Sequence, residues 1–198
     1  MYPPAPWHMH GQLWLSLFRL RPGEAASAAH PPGTYGVALV RYEEPSPLTY
    51  GELLVAHPVR EPVRGASIDQ IWVDSVASMT GGRELWAIPK ELCDFSFETT
   101  RTGPLTRTSW SASFERRPVV DADFTDLSRA APRLPFRGTT WQPGLDGGAA
   151  RTAALRGSSR TLPCRARWSF AQDGPLGWLA GRRPAASLRM VDFSMTFG

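Results

Sequence analysis

Apolar runs in this chain are short, and proline or glycine interrupts nearly all of them. With 19 prolines and 18 glycines among 198 residues, few stretches leave room for a long helix. The runs also alternate. From Ile68 to Val76, residues Ile71, Val73 and Ser75 fall on one side and Trp72, Asp74 and Val76 on the other, as a half-buried strand requires. Phe95 to Glu98, Ser109 to Phe114, Cys164 to Phe170 and Leu188 to Phe197 show the same alternation. Leu13 to Leu20, Val37 to Tyr42 and Tyr50 to Val55 are bulkier and also read as strands, with Pro45 and Pro47 as a break. Helical candidates are confined to 80–86 and 122–130. Residues 21–33 read as a loop, and 116–160, rich in Pro, Gly, Ala and Arg, define no element. The pattern predicts one domain over 1–198, mainly β and antiparallel, without deciding between sandwich and barrel.

Composition removes several classes of function. The net charge of +4 comes from scattered arginines, with no basic block interleaved with aromatics, so nucleic acid is not an expected partner. No run of 18 apolar residues predicts a membrane span. The N-terminus begins with prolines and lacks a basic segment followed by an apolar one, so no secretory signal is expected. Cys93 and Cys164 are expected to be reduced, buried thiols of a cytoplasmic protein. His8 and His10 would share one face of a strand, but no third ligand accompanies them, and no metal is expected. There is no nucleophile elbow, phosphate-binding loop or dinucleotide fingerprint.

One residue stands apart. Lys and Arg total 22, and Lys90 is the only lysine. A guanidinium stays protonated, whereas a lysine amine can be tuned to attack a carbonyl. Such a chain keeps lysine where an amine is needed. Lys90 follows a Gly81-Gly82 turn and the run Trp86-Ala87-Ile88-Pro89, so the amine is expected to emerge from an apolar wall. At pH 7 only roughly one free lysine in 2,500 carries the lone pair. Burial would lower its pKa and increase that share.

Gly82-Arg83-Glu84-Leu85-Trp86-Ala87-Ile88-Pro89-Lys90 resembles the signature of the acetoacetate decarboxylase family. Ile71 to Ser78 resembles the strand before it, and the Gly33-Thr34-Tyr35-Gly36 turn also fits; the likeness covers about residues 30 to 100. It implies a β-barrel, closed or nearly so, enclosing a pocket, with a few short helices outside. It also implies a cofactor-independent lyase in which Lys90 forms a Schiff base with a keto acid, and a homo-oligomeric assembly. Two acidic positions carry over. Glu52, in a Tyr-x-Glu context and among apolar neighbours, is suited to moving protons, and Glu43 ends the preceding strand. Arg83, Trp86 and Tyr35 are the candidate substrate contacts. The chain departs from the family at two places. Glu91 stands where typical decarboxylases carry a second lysine, and Gly11 stands at the register of an arginine that assists the substrate carboxylate. Both departures favour other Schiff-base outcomes, namely aldol condensation, dehydration or cyclisation. The remaining alternative is a non-catalytic barrel that binds a ligand.

Overall fold

The structure, a computed structural model, describes residues 1–23, 29–127 and 131–198. Seven strands roll into a barrel: β1 (Trp7–Leu20), β2 (Gly33–Glu43), β3 (Tyr50–Val59), β4 (Gly65–Val73), β9 (Arg133–Gln142), β10 (Arg151–Pro163) and β12 (Ala186–Phe197). Their order around the wall is β3-β2-β1-β12-β10-β9-β4, and β3–β4 pairing closes the ring. The helix α1 (Val76–Trp86) and the three-residue β5 (Lys90–Leu92) follow β4. A second, antiparallel sheet is built from β6 (Asp94–Thr102), β7 (Leu105–Phe114), β8 (Arg117–Asp126) and β11 (Arg165–Phe170), in the order β11-β8-β7-β6. Among the described residues no helix is long and apolar enough to cross a membrane.

The barrel is not purely antiparallel, as the sequence pattern had suggested. β5 lies parallel to the upper part of β4, pairing Ile71 with Lys90, and β9 meets β4 in parallel at one bridge, Ala66 with Thr140. The side-chain amide of Gln142 extends that short contact. Its Oε1 accepts from the Ser67 hydroxyl at 2.9 Å and from Ile68 N–H at 3.0 Å, and its Nε2 donates to the Ile68 carbonyl at 3.1 Å.

Strand alternation sorts the side chains into two cores. Outward-facing Trp14, Phe18, Val37, Leu39, Leu53 and Trp72 pack beneath the second sheet, against Trp110, Phe124 and Trp168. Inward-facing Met9, Val40, Tyr42, Tyr50, Ile71, Val73 and Phe193 fill one end of the barrel together with Trp7, Trp86 and Ile88. Two polar contacts join barrel to sheet: Arg189 to Asp126 at 2.8 Å and the Trp168 indole N–H to Ser16 Oγ at 2.8 Å.

Both cysteines are free. They belong to the core beneath the second sheet, Cys93 buried and Cys164 partly so, and burial pushes both thiols up to about 12. Two expectations need correction. The strand expected over 68–76 ends at Val73, because Ser75 caps α1 by accepting from Ser78 N–H at 3.2 Å. Residues 122–126, expected to be helical, belong to β8, where Ala122 and Phe124 face the core and Asp121 and Asp123 face water; residues 128–130 lie outside the described residues. The region 116–160 supplies β8, β9 and β10.

Trp14 is fully buried, with Phe97, Trp110 and Phe124 rings 5.8–6.0 Å from its own. Trp14→Ala should cost about 3–5 kcal/mol, read as a lower urea midpoint with the slope unchanged.

Candidate active site

Lys90 projects inward from the edge strand β5. Its placement depends on the end of α1. Ala87 takes the left-handed conformation (φ 53°), its N–H bonding the Arg83 carbonyl, and Ile88 N–H returns to the Gly82 carbonyl at 3.1 Å. The chain therefore reverses tightly, and Pro89 delivers Lys90 back alongside the helix. Gly81 and Gly82 are not the turn expected from the sequence; they lie inside α1, at points of close approach. A Cβ on Gly81 would stand 2.7 Å from the Trp7 ring, and one on Gly82 would stand 2.7 and 2.8 Å from Lys90 Cδ and Cε. The lysine stem thus runs over Gly82. Ser78, one turn earlier on the same helix face, meets its tip.

The amine is buried, with 5% of the side chain exposed. Lys90 Nζ donates to Glu52 Oε2 at 2.8 Å, to Ser78 Oγ at 2.9 Å and to the Tyr50 hydroxyl at 3.4 Å. Glu52 is 4% exposed and accepts a second hydrogen bond from the Tyr42 hydroxyl, 3.0 Å from its Oε1. Alternation on β3 turns Tyr50 and Glu52 inward together, while register pairs Tyr50 with Tyr42 on β2. The carboxylate, the amine and three hydroxyls form one connected cluster.

The electrostatics differ from expectation. Burial pulls the Lys90 ammonium towards the neutral form, but the Glu52 carboxylate and Tyr50 outweigh it, and the pKa lies above the ordinary 10.5. Lys90 therefore rests as an ammonium paired with a carboxylate, not as the free amine that burial alone predicts. Burial also pushes Tyr42 well above its usual value, and pushes Tyr50 up to about 12 even though Lys90 pulls the other way. Both phenols remain protonated donors at neutral pH.

The structure brings Lys90 and Glu52 together and leaves Glu43 outside. β2 turns Tyr42 inward, so Glu43 faces out, where it meets Gln12 at 3.3 Å and Arg41 at 3.8 Å. Arg83 does not reach the amine; its guanidinium donates to the Lys90 carbonyl at 3.2 Å and so fixes the backbone of β5. Trp86 is buried beside the site, edge-on to Trp7 and Phe197. Tyr35 lies on the other side of the barrel wall, in the core under the second sheet, with its hydroxyl on the Pro31 carbonyl. Glu91 is exposed, because the neighbour of an inward residue on a strand points outward. A hollow of about 700 Å³ is lined by Met79, Arg83, Lys90, Glu91, Phe114 and Glu115 among others. At Gly11 no side chain fits, since a Cβ would fall 1.9 Å from the Arg41 carbonyl oxygen. His8 bonds Thr196 and His57 bonds Asp69. Among the described residues no three His, Cys, Asp or Glu side chains are grouped to hold a metal.

Sequence reasoning missed Ser78, Tyr42 and Tyr50 as members of the cluster. A signal for Ser78 was present: Ser78 and Gly82 are four apart, a helical spacing, beyond a Ser75 cap.

The family model for acetoacetate decarboxylase (ADC) matches residues 21–157. The chain belongs to the acetoacetate decarboxylase family. No curated protein sequence matches it. Among solved structures it is similar to the acetoacetate decarboxylase of Legionella pneumophila subsp. pneumophila str. Philadelphia 1, at 14% identity and TM-score 0.66, covering 98% of this chain and 86% of that one. It is similar to the enduracididine biosynthesis enzyme MppR, complexed with the condensation product of pyruvate and imidazole 4-carboxaldehyde, at 20% identity and TM-score 0.63 over 98% and 88% of the two chains. An acetoacetate decarboxylase-like enzyme from Sphingomonas wittichii RW1 aligns at 14% identity and TM-score 0.60 over 98% and 91%. The likeness to these structures is one of fold, and the barrel is the family's.

Two outcomes test this geometry. Lys90→Met leaves Glu52 buried without its cation and should cost about 3–5 kcal/mol, while Lys90→Met/Glu52→Leu should recover most of that loss in urea titrations. Because Lys90's folded pKa is raised, the pair's contribution is complete below 10.5 and is lost as pH rises through the higher folded value. The difference between wild type and Lys90→Met should stay level from about pH 7 to 9 and shrink only above the ordinary lysine range. Separately, Gly82→Ala should raise helix propensity by about 1 kcal/mol yet displace the lysine stem. Because the displaced lysine loosens its pair with Glu52, whose loss costs about 3–5 kcal/mol, thermal stability should fall despite the helix gain, and borohydride trapping of a keto acid on Lys90 should slow by about tenfold, the effect of some 1.4 kcal/mol.

Proposed function

We propose that the protein is a cofactor-independent lyase of the acetoacetate decarboxylase kind, in which Lys90 forms a Schiff base with a keto acid or related carbonyl compound. The observation that carries this reading is the burial of the chain's only lysine in direct contact with Glu52, at 2.8 Å. Buried lysines need a partner, and here the partner is also a base within proton-transfer distance.

In this reading substrate entry displaces the remaining water and favours the neutral pair. The ammonium passes a proton to Glu52, giving an amine and a carboxylic acid. The amine attacks the carbonyl carbon, and a proton passes from the attacking nitrogen to the oxygen to give a neutral carbinolamine. Glu52 returns its proton to the departing hydroxyl, which leaves as water, and the nitrogen becomes an iminium. For a β-keto acid, the bond to the carboxylate then breaks, its electron pair moves towards the iminium nitrogen, and carbon dioxide leaves. An enamine remains; it is protonated at carbon, and water releases the ketone and the lysine. Ser78 and Tyr50 hold the nitrogen, and Tyr42 holds Glu52 in place. The same reading makes the protein a homo-oligomer, following the family resemblance, and cytoplasmic, following its two reduced cysteines.

A second outcome of the same iminium, aldol addition or dehydration, is favoured by one observation. The groups around Lys90 Nζ are one carboxylate and hydroxyls, while Arg83 is committed to the Lys90 carbonyl. Among the described residues a substrate carboxylate therefore finds no guanidinium beside the amine. Incubation with acetoacetate or pyruvate, then borohydride, should add the reduced substrate to Lys90, and Lys90→Arg should abolish both adduct and turnover. Measured carbon dioxide release then separates decarboxylation from condensation. Full turnover in Lys90→Arg would end both versions.

A further inference from the structure

The inner wall of the barrel has two characters. Around Lys90 it is packed, with Met9, Val40, Tyr42, Ile71, Val73 and Phe193 all buried. Elsewhere on the same wall, Leu13, Leu15, Leu54, Ile68, Phe136 and Met195 pack against that cluster but are only partly buried. A barrel filled by its own side chains would close such residues off. Of the glycines here Gly138 leaves room, since a Cβ would meet Leu155 in ordinary contact at 3.4 Å, whereas at Gly36 Leu15 stands 3.3 Å from that position and at Gly157 the Ser194 carbonyl oxygen, Met195 and Phe136 fill it.

This apolar surface is continuous with the amine. Leu54 is the next inward residue after Glu52 on β3, Val40 is the register partner of Glu52, and Ile68 shares β4 with Ile71, the partner of Lys90. Water-wetted apolar wall is a binding surface for apolar matter, since covering it is favourable in proportion to area.

We propose that this part of the barrel holds an alkyl or aryl chain of the substrate, so that the protein acts on a ketone or keto acid bearing several apolar carbons beyond the reacting carbonyl. The proposal rests on the Schiff-base reading and adds to it the class of substrate. The keto carbon sits at Lys90, and the chain extends along Leu54, Leu13 and Leu15. Each buried methylene tightens binding roughly fourfold.

The test uses the whole protein and methyl ketones from acetone to 2-nonanone, with borohydride reduction and adduct mass read at Lys90. In the wild type, half-maximal trapping should shift to lower ketone concentration by roughly fourfold per methylene over the first few carbons. Gly138→Leu fills the wall without backbone strain and should flatten that series relative to its own acetone adduct. Leu15→Gln, which makes the wall polar, should also weaken long ketones more than acetone. A flat wild-type series with adduct present would overturn the apolar-chain assignment and leave the Schiff base standing, as would a wild-type slope kept in both variants. No adduct with any ketone or keto acid would remove the Schiff-base reading itself.

Discussion

The buried ion pair of Lys90 with Glu52 sets the terms for much of this molecule. Two charges withdrawn from water are costly unless each finds the other at short range and their remaining valences are met. Lys90 and Glu52 meet at 2.8 Å, and Ser78, Tyr50 and Tyr42 take up hydrogen bonds from the amine or give one to the carboxylate. That requirement dictates which side of β3 and of β2 faces the interior, because a shift of one residue would bury Leu53 with Lys90 and send Glu52 under the second sheet. The same pair explains why the lysine is not poised as a free amine. The carboxylate that makes burial tolerable also keeps the proton on nitrogen, so in the proposed mechanism one transfer would generate the nucleophilic amine and a carboxylic acid together.

Helix α1 is shaped to receive that lysine. A residue with any side chain at position 82 would meet the lysine stem, and Ser78 one turn away meets its tip. The left-handed Ala87 then reverses the chain within a few residues. Arg83, from the same turn and expected to contact substrate, instead ties down the carbonyl of Lys90. The motif from Gly82 to Lys90 is therefore a piece of geometry in which nearly every residue type has a steric or hydrogen-bonding reason. The bulge at Gly11 is its counterpart on β1. The backbone of Arg41 approaches so closely that a cationic side chain has no space there.

Much of this was legible before any coordinates. Short alternating runs indicated strands, and β1, β2, β3 and β12 fall where bulky or alternating residues predicted them. Lys90 was marked by its rarity and Glu52 by its apolar neighbours. Glu43 was misread because only the strand's phase, set by Tyr42 pairing with Tyr50, decides which of two adjacent residues faces in. Tyr35 was misread for a related reason: a buried aromatic on a barrel strand has two cores available, and sequence does not say which one receives it. The strands from 116 to 160 were hidden because one face of β9 and β10 is open to water and carries arginine, glycine and threonine in place of an apolar stripe. The resting charge of Lys90 depends on a partner 38 residues away, beyond the reach of local pattern.

The contact between β4 and β9 has a further consequence. Only Ala66 and Thr140 form a backbone bridge there, and beyond it a carboxamide imitates a peptide group, giving and accepting along β4 as a neighbouring strand would. The bore of the cylinder at that stitch is thus set by the length of one side chain, Gln142, and not by a continuous ladder. A shorter or longer amide in its place would tighten or relax the girth at that seam. A change at Gln142 would in that way alter what the barrel encloses while Lys90 and Glu52 stay where they are.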